Sequence, residues 1–385
     1  MERIEASFVI LGAGAFGSAA AWQLAKRGEN VLLLDRERRP HSRGSSHGTA
    51  RITRHSYADL RYARAMLPAY QAWRELEADA GRPLLIGTGG VSLCDPEVDY
   101  VRRVADNLRE IGIPHRRMTG AELRRSVPVF EVPERLDAVF EPQAGIVLAD
   151  TTLGAELEIA ERLGEDRFRF FAETPIERID LEADRPTLIG NRFRIEADFL
   201  IVAAGAWITK LLPEWARGLA VTRQQVIYLR PHVPEPFAIG RFPIFVHKGD
   251  DGDGPGGPSF YGMPAVLDCP VKVARHSGPL FDPDRPDRPF DHDYIEVVRS
   301  YLRRNIPALA DLRVEQVEVC LYTEAPDENF RIGTLPGRPD VLVASPCSGH
   351  GFKFSPLIGR VLADLAVAGE SSHANDAWTF VPVGP

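Results

Sequence analysis

The sequence predicts a mixed α/β fold in which one α/β domain is interleaved with a strand-rich domain. The chain of 385 residues opens with an apolar strand, a glycine-rich turn, an Ala-rich helix and a second apolar strand over residues 7–34. Another apolar strand, within residues 198–205, ends in small side chains far along the chain. Strand-rich stretches separate these segments, so the α/β domain is expected to be discontinuous.

The remaining elements follow from the spacing of apolar residues along the chain. Amphipathic helices are predicted at residues 60–80, 98–111, 153–163, 293–305 and 356–368. Strands are predicted within residues 168–195 and 221–273 and at 341–344. The α/β domain is therefore expected at residues 1–85, 141–219 and 319–385, and the strand-rich domain at residues 86–140 and 220–318.

Composition and charge exclude several classes of protein. Hydrophobic residues make up 44% of the chain and charged residues 26%, an ordinary globular balance. The net charge of −8 comes with no basic stripe for nucleic acid, and no apolar run reaches the roughly 20 residues of a membrane span. Residues 1–5 are unlike the start of a signal peptide, so a cytoplasmic location is expected.

Neither a disulfide framework nor a metal site is expected. The four cysteines form no CxxC pair and are predicted to be free thiols. Residues 250–254 look like a calcium loop but lack its terminal Glu and flanking helices, which favours a hairpin tip. His41, His47 and His55 do not have a spacing typical of metal ligands.

The opening segment carries a dinucleotide-binding fingerprint of Gly12, Gly14 and Gly17, with Asp35 at the end of the second strand. In a Rossmann-type unit the three glycines permit a tight turn, a close approach to a pyrophosphate and helix–strand packing. The helix N-terminus attracts the phosphates, and the acid accepts hydrogen bonds from the ribose. This pattern predicts a nucleotide site but does not distinguish FAD from NAD.

Three further segments carry a resemblance to a known family. They are residues 46–57 (SHGTARITRHSY), residues 261–264 with 272–276 (YGMP, KVARH), and residues 320–323 with 348–354 (CLYT, SGHGFKF). Together with the N-terminal fingerprint they resemble the monomeric sarcosine oxidase family of amine-oxidising flavoproteins. The resemblance covers nearly the whole chain in order, and it implies that the nucleotide is FAD.

The resemblance also implies how FAD is held. Cys320 matches the cysteine that carries the flavin through a thioether to its 8α carbon, a role that suits a thiolate nucleophile. Backbone lying against the cofactor is expected at four further positions: Gly205, Gly349, Gly351 and Phe352.

On the substrate side, the resemblance places Arg54 and Lys353 on a carboxylate, which a guanidinium and an ammonium bind well. Lys272 matches the lysine above the flavin face that assists oxygen reduction, because a cation stabilises developing negative charge. Arg51 and His47 match residues beside the flavin ring. Tyr57, Tyr261, His276 and Tyr322 match side chains that line the substrate cavity.

The resemblance therefore implies a monomeric oxidase that takes a small anionic amine and O₂ as partners. A secondary amine or N-methyl amino acid would give a hydride to the flavin, the imine would hydrolyse, and O₂ would become H₂O₂. Three alternatives remain at this point: a flavin-dependent amine dehydrogenase, a biosynthetic oxidase of a cyclic amino acid, and a non-catalytic FAD-binding subunit.

Overall fold

A computed structural model describes residues 2–249, 259–375 and 378. Over those residues the chain forms nineteen strands: β1 Glu2–Leu11, β2 Val31–Leu34, β3 Ala50–Thr53, β4 Leu85–Gly87, β5 Gly90–Cys94, β6 Arg116–Thr119, β7 Asp137–Glu141, β8 Gly145–Leu148, β9 Phe168–Phe171, β10 Ile176–Asp180, β11 Thr187–Gly190, β12 Phe193–Val202, β13 Ala220–Leu229, β14 Ile244–Lys248, β15 Phe260–Met263, β16 Val271–Arg275, β17 Val314–Glu324, β18 Arg331–Leu335 and β19 Arg338–Ser345.

The same residues form nine α-helices: α1 Ala15–Lys26, α2 Leu60–Ala80, α3 Tyr100–Glu110, α4 Gly120–Ser126, α5 Ala149–Gly164, α6 Ile208–Leu211, α7 Asp293–Asn305, α8 Pro307–Ala310 and α9 Ser355–Ala368. Short 3₁₀ turns lie at residues 165–167, 205–207, 235–237 and 352–354. None of the helices in this described part of the chain is both long and apolar enough to cross a membrane.

The first sheet grows around the glycine-rich turn. Strands β9, β2, β1, β12 and β19 lie side by side and run parallel. Their apolar runs are buried, as expected for a parallel sheet covered on both faces, and all four residues of β2 are buried. The hairpin of β10 and β11 pairs antiparallel with the first half of β12, and β18 pairs antiparallel with β19.

Helices α1, α5 and α9 cover this sheet, and small residues let them approach closely. A Cβ atom on Gly359 of α9 would lie 2.5 Å from the backbone carbon of Ala19 in α1 and 2.6 Å from its Cβ. The Ala-rich sequence of α1, which predicts a helix, therefore also sets its short distance from α9.

The second sheet has the order β17-β13-β16-β15-β14-β5-β7-β6, and a third, small sheet has the order β3-β8-β4. The second sheet is mostly antiparallel and packs on α7 and α8 through an aromatic core that includes Phe130, Phe242 and Phe245. The predicted fold class, an α/β domain interleaved with strand-rich material, is confirmed.

Predicted and observed element boundaries agree best for long helices with a sustained apolar pattern. Helices α2 and α7 span the predicted 60–80 and 293–305, whereas α5 begins at Ala149, ahead of the predicted 153. Strand β3 was not expected, because it is short and its pairing partner β8 lies far along the chain. The division into two domains remains a prediction, and its boundary at residue 319 falls inside β17. The predicted hairpin tip at 250–254 lies outside the described residues.

We predict that Gly359→Ala destabilises the protein by about 1–3 kcal/mol, because the added methyl group overpacks the α1–α9 contact. Gly154→Ala is the matched control inside α5, where the nearest atom to a new Cβ is Glu158 Oε1 at 3.9 Å. There the loss of backbone freedom in the unfolded chain should stabilise the helix by about 0.5–1 kcal/mol. Urea unfolding midpoints of both variants measure the difference in stability. Equal changes in stability would contradict the close packing of α1 and α9.

Candidate active site

A cavity of about 380 Å³ lies where the predicted site residues meet. Its lining draws on segments from the beginning, middle and end of the chain. Thirteen predicted residues line it: His47, Arg51, Arg54, Tyr57, Tyr261, Lys272, His276, Cys320, Tyr322, Gly349, Gly351, Phe352 and Lys353. The fold thus brings together groups that are remote in sequence.

The glycine-rich turn borders this cavity and fits a phosphate-bearing ligand. Gly12 has φ +106°, and a Cβ there would lie 2.5 Å from the carbonyl oxygen of Ala203 at the end of β12. Gly14 is the N-cap of α1 and has no side chain to satisfy the first N–H groups of the helix. Ala15 N donates to Ser46 Oγ at 3.1 Å. A helix N-terminus of this kind attracts phosphate oxygens.

Gly17, Asp35 and Gly205, which were also predicted to bind the nucleotide, do not line the cavity. A Cβ on Gly17 would lie 1.8 Å from the carbonyl oxygen of Gly12, so Gly17 permits the turn to pack against its own helix. The Asp35 carboxylate accepts hydrogen bonds from Ala13 N and Glu37 N, each at 2.9 Å. Gly205 begins the 3₁₀ turn that follows β12 and has φ +55°. Asp35 therefore holds the glycine-rich turn and retains acceptor sites for a ribose.

The segment that follows β19 must pass close to the cavity lining. Gly349 has φ +70°, and a Cβ there would lie 2.6 Å from His276 and 2.8 Å from Tyr322. A Cβ on Gly351 would lie 1.7 Å from the carbonyl oxygen of Pro346. Both positions therefore require glycine, and the backbone between them forms one wall of the cavity.

Arg54 and Lys353 approach the same ring, that of Tyr57. The guanidinium carbon of Arg54 lies 4.8 Å from the ring centroid and Lys353 Nζ lies 5.4 Å from it. Lys353 Nζ donates to Tyr57 Oη at 3.0 Å and to the carbonyl oxygen of His350 at 2.7 Å. Arg54 Nη1 is buried without a hydrogen-bond partner among the described residues.

His350 completes this network and was not assigned a role from the sequence. Its Nε2 lies 3.0 Å from the carbonyl oxygen of Glu328, which can only accept, so Nε2 carries the proton. Its Nδ1 lies 3.0 Å from Tyr57 Oη and accepts from that hydroxyl. Burial, and then the charge of Lys353, lowers the pKa of His350 well below its usual value, which agrees with a neutral ring.

A buried carboxylate fixes the backbone on either side of Arg54 and Tyr57. Glu141 is fully buried and accepts from His55 N at 2.9 Å and Ser56 N at 3.0 Å. His55 Nδ1 lies 2.7 Å from Glu141 Oε1, and Ser56 Oγ also donates to Glu141. The His55 ring stacks on Tyr70 at 4.2 Å. Glu141 thereby sets the direction in which Arg54 and Tyr57 leave the backbone.

Lys272 and Arg51 form a second positive region of the cavity. Lys272 Nζ donates to the carbonyl oxygen of Ala50 at 3.2 Å. Arg51 donates to the carbonyl oxygens of Ala50 at 2.9 Å and Ser45 at 3.0 Å, and also to that of His47. Neutral carbonyl groups thus hold both cations in place without cancelling their charge.

Four of the cations that line the cavity share one property. Arg51, Arg54, Lys272 and Lys353 form no ion pair with a carboxylate within the described ranges of the chain. Buried charge without an opposite charge is costly, so the cavity is built to receive anionic ligands.

The site also shifts the pKa values of its titratable groups. Burial, and then the charge of Arg51, lowers the pKa of Lys272 to about 8. Burial, and then Arg54, lowers the pKa of Lys353 well below its usual value. Burial is also the main cause that lowers the pKa values of His47 and His276 to about 3 each. Both imidazoles are therefore neutral at physiological pH, and a bound anion would favour the charged form of each lysine.

Cys320 lies on β17 and is buried against the cavity. Burial raises the pKa of its thiol above the usual value, although the charges of Arg51 and Lys272 act in the opposite direction. Cys347, to which the sequence analysis gave no role in the site, also lines the cavity. Its Sγ accepts from Thr323 N at 3.4 Å.

Two residues of this hydrogen-bonded site, Glu141 and His350, were not predicted from the sequence. His350 lies inside the SGHGFKF motif, which was the available signal. Glu141 gave none, since its partners His55 and Ser56 are 86 and 85 residues away along the chain. In the part of the chain that the structure describes, no three His, Cys, Asp or Glu side chains come together as a metal site.

Solved structures share the fold. NikD, named as an unusual amino acid oxidase essential for nikkomycin biosynthesis, superposes with a TM-score of 0.83 at 23% identity, covering 96% of this chain and 95% of that one. L-proline dehydrogenase from P. horikoshii superposes with a TM-score of 0.81 at 22% identity over the same shares of the two chains.

Sequence comparison gives the family. The model of the FAD dependent oxidoreductase family matches residues 7–365. Monomeric sarcosine oxidase of Streptomyces avermitilis is 32% identical over 371 residues, 95% of this chain and 94% of that protein. N-methyl-L-tryptophan oxidase of Yersinia pestis is 31% identical over 363 residues, 93% and 94% of the two chains. This chain therefore belongs to the FAD-dependent oxidoreductase family, in the group that contains monomeric sarcosine oxidase and N-methyl-L-tryptophan oxidase.

Proposed function

We propose that this protein is an FAD-dependent oxidase of a small secondary amine that carries a carboxylate, such as an N-methyl amino acid. The observation that carries the proposal is the set of four cavity cations that pair with no carboxylate of the described residues, next to a glycine-rich helix N-terminus suited to phosphate. The relatives named for sarcosine and N-methyl-L-tryptophan, both N-methyl amino acids, support this substrate class.

FAD would lie along the glycine-rich turn, beside Asp35 and against one side of the cavity. The turn of Gly12, Gly14 and Gly17 would receive the pyrophosphate and Asp35 the ribose, with Gly205 supporting the turn. Gly349, Gly351 and Phe352 would lie along the flavin, and Cys320 would bond to it covalently. Bound FAD supplies the redox chemistry, accepting a hydride equivalent from the amine and passing electrons to O₂.

Arg54 and Lys353 would hold the substrate carboxylate from two sides. A guanidinium offers paired N–H donors and the ammonium adds a point charge. With the carboxylate fixed there, the amine nitrogen lies among Tyr57, Tyr261, His276 and Tyr322. The neutral His276 and the nearby cations disfavour a protonated amine, and the neutral amine is the form that loses hydride readily.

Lys272 would serve the reaction with oxygen. Its Nζ is held by the carbonyl group of Ala50, so its charge is available to stabilise negative charge that develops on O₂. Arg51 and His47 would set the electrostatic environment beside the flavin ring. Release of H₂O₂, a monomeric state and a cytoplasmic location complete the proposal.

Cys320→Ser should release the flavin when the protein is precipitated with acid, because the hydroxyl cannot form the thioether. The wild type should keep its flavin in the precipitate. Cys347→Ser is the matched control, a second cavity cysteine that should retain the flavin. Absorbance of the supernatant gives the result. A wild-type protein that loses all of its flavin would refute the covalent link but not FAD binding.

Lys272→Met should slow reoxidation by O₂ by more than about tenfold while slowing anaerobic flavin reduction by sarcosine or another N-methyl amino acid much less. Lys272 is charged below its pKa, which is about 8 before an anion binds and rises when one does, so the wild-type rate with O₂ should fall as the pH rises through the pKa of Lys272. The variant should lack this pH dependence.

Stopped-flow absorbance separates the two half-reactions. If Lys272→Met slowed both half-reactions equally, the proposed role of Lys272 in oxygen activation would be wrong. If no secondary amino acid bleached the flavin anaerobically, the proposed function itself would be wrong.

A further inference from the structure

One cation that lines the cavity has no role in the reaction described so far. Lys248 ends β14, where Val246 pairs with Tyr261 of β15. Side chains two residues apart on a strand point to the same face, and both Val246 and Lys248 line the cavity. Lys248 is only partly buried, so it lies farther toward solvent than Lys353.

Among the residues that the structure describes, no carboxylate forms an ion pair with Lys248. Within the described residues its Nζ makes neither a hydrogen bond nor an ion pair. Three acidic side chains of the same lining already have other partners: Asp59 with Arg61 at 2.6 Å, Asp327 with Arg331 at 3.2 Å, and Glu318 with Tyr228 at 2.6 Å. Glu328, a fourth, is exposed and forms no ion pair with Lys248 in the same ranges.

His276 lies near Lys248 and near Arg54 and Lys353, the pair proposed to bind the carboxylate. After burial, the charges that lower the pKa of His276 are Lys248 first, then Lys353 and Arg54. The ring also packs near Tyr261 at 6.1 Å and Tyr322 at 5.4 Å. The ring of His276 therefore lies within electrostatic range of Lys248 as well as of Arg54 and Lys353, and all four side chains line the cavity.

We infer that Lys248 binds a second anionic group, at the end of the substrate opposite its α-carboxylate. The substrate is then an N-substituted amino acid whose side chain ends in a carboxylate. This inference rests on the proposed function, because Arg54 and Lys353 must first hold the α-carboxylate. An unpaired cation facing a partly enclosed cavity gains most from an anion, and a hydrogen bond between charged groups is stronger than one between neutral groups.

The test compares N-methyl-L-glutamate with N-methyl-L-glutamine, which have nearly the same shape and differ in the charge of the side chain. In the wild-type holoenzyme, kcat/KM for the glutamate derivative should exceed that for the glutamine derivative by about tenfold or more, the effect expected of a hydrogen bond between charged groups. The difference should lie mainly in KM and should shrink as salt concentration rises.

Lys248→Met should bring this ratio close to one, and Lys248→Glu should reverse it. Lys210→Met is the control: this exposed lysine pairs with Asp282 outside the cavity, so the ratio should stay at its wild-type value. A wild-type ratio near one, or a preference that survives in Lys248→Met, would overturn the second anion site while leaving the proposed oxidase intact. If neither compound nor sarcosine reduced the flavin anaerobically, both proposals would fall.

Discussion

Buried positive charge that forms no ion pair within the described residues is the constraint on which this site depends. Arg51, Arg54, Lys272 and Lys353 point into one cavity, and the groups that hold them are carbonyl oxygens, a hydroxyl and an aromatic ring. Such groups orient a cation without cancelling its charge. Desolvation of an unpaired ion is unfavourable, so the cavity favours the binding of anions. The lowered pKa values of Lys272 and Lys353 express the same constraint.

Two buried carboxylates near the site accept hydrogen bonds from backbone N–H groups and form no ion pair with these four cations. Glu141 contacts the backbone of His55 and Ser56, so it fixes the Arg54 segment without pairing with the guanidinium. Asp35 similarly faces the backbone of the glycine-rich turn. Rigid strands present the remaining cations: Arg51 lies on β3, and Lys272 on β16. Glycines at 349 and 351 let the last wall approach closely enough to enclose the space.

Sequence reasoning succeeded where the signal is local. The glycine-rich turn, the two strands around it and helix α2 depend on neighbouring residues, and each forms as predicted. The site residues were found through a family resemblance, since no periodicity relates Arg54 to Lys353. The features that were not predicted depend on contacts between residues far apart in sequence. Strand β3 pairs with β8, Glu141 hydrogen-bonds to His55, and Cys347 is held by a hydrogen bond from β17. The role of His350 became visible only when its two ring nitrogens could be matched to Tyr57 and to the Glu328 carbonyl group.

The most direct test of the cationic site is the pH dependence of carboxylate binding, measured by the change that propionate causes in the flavin spectrum. Lys353 has a lowered pKa when no anion is present, and a bound carboxylate raises it, so binding should take up a proton. At pH values where propionate is ionised, affinity should be constant while Lys353 is protonated and fall as the pH rises beyond its pKa in the free site. Lys353→Met should bind weakly and without this dependence. Wild-type affinity that is independent of pH, or equal for propionate and neutral propionamide, would contradict the account.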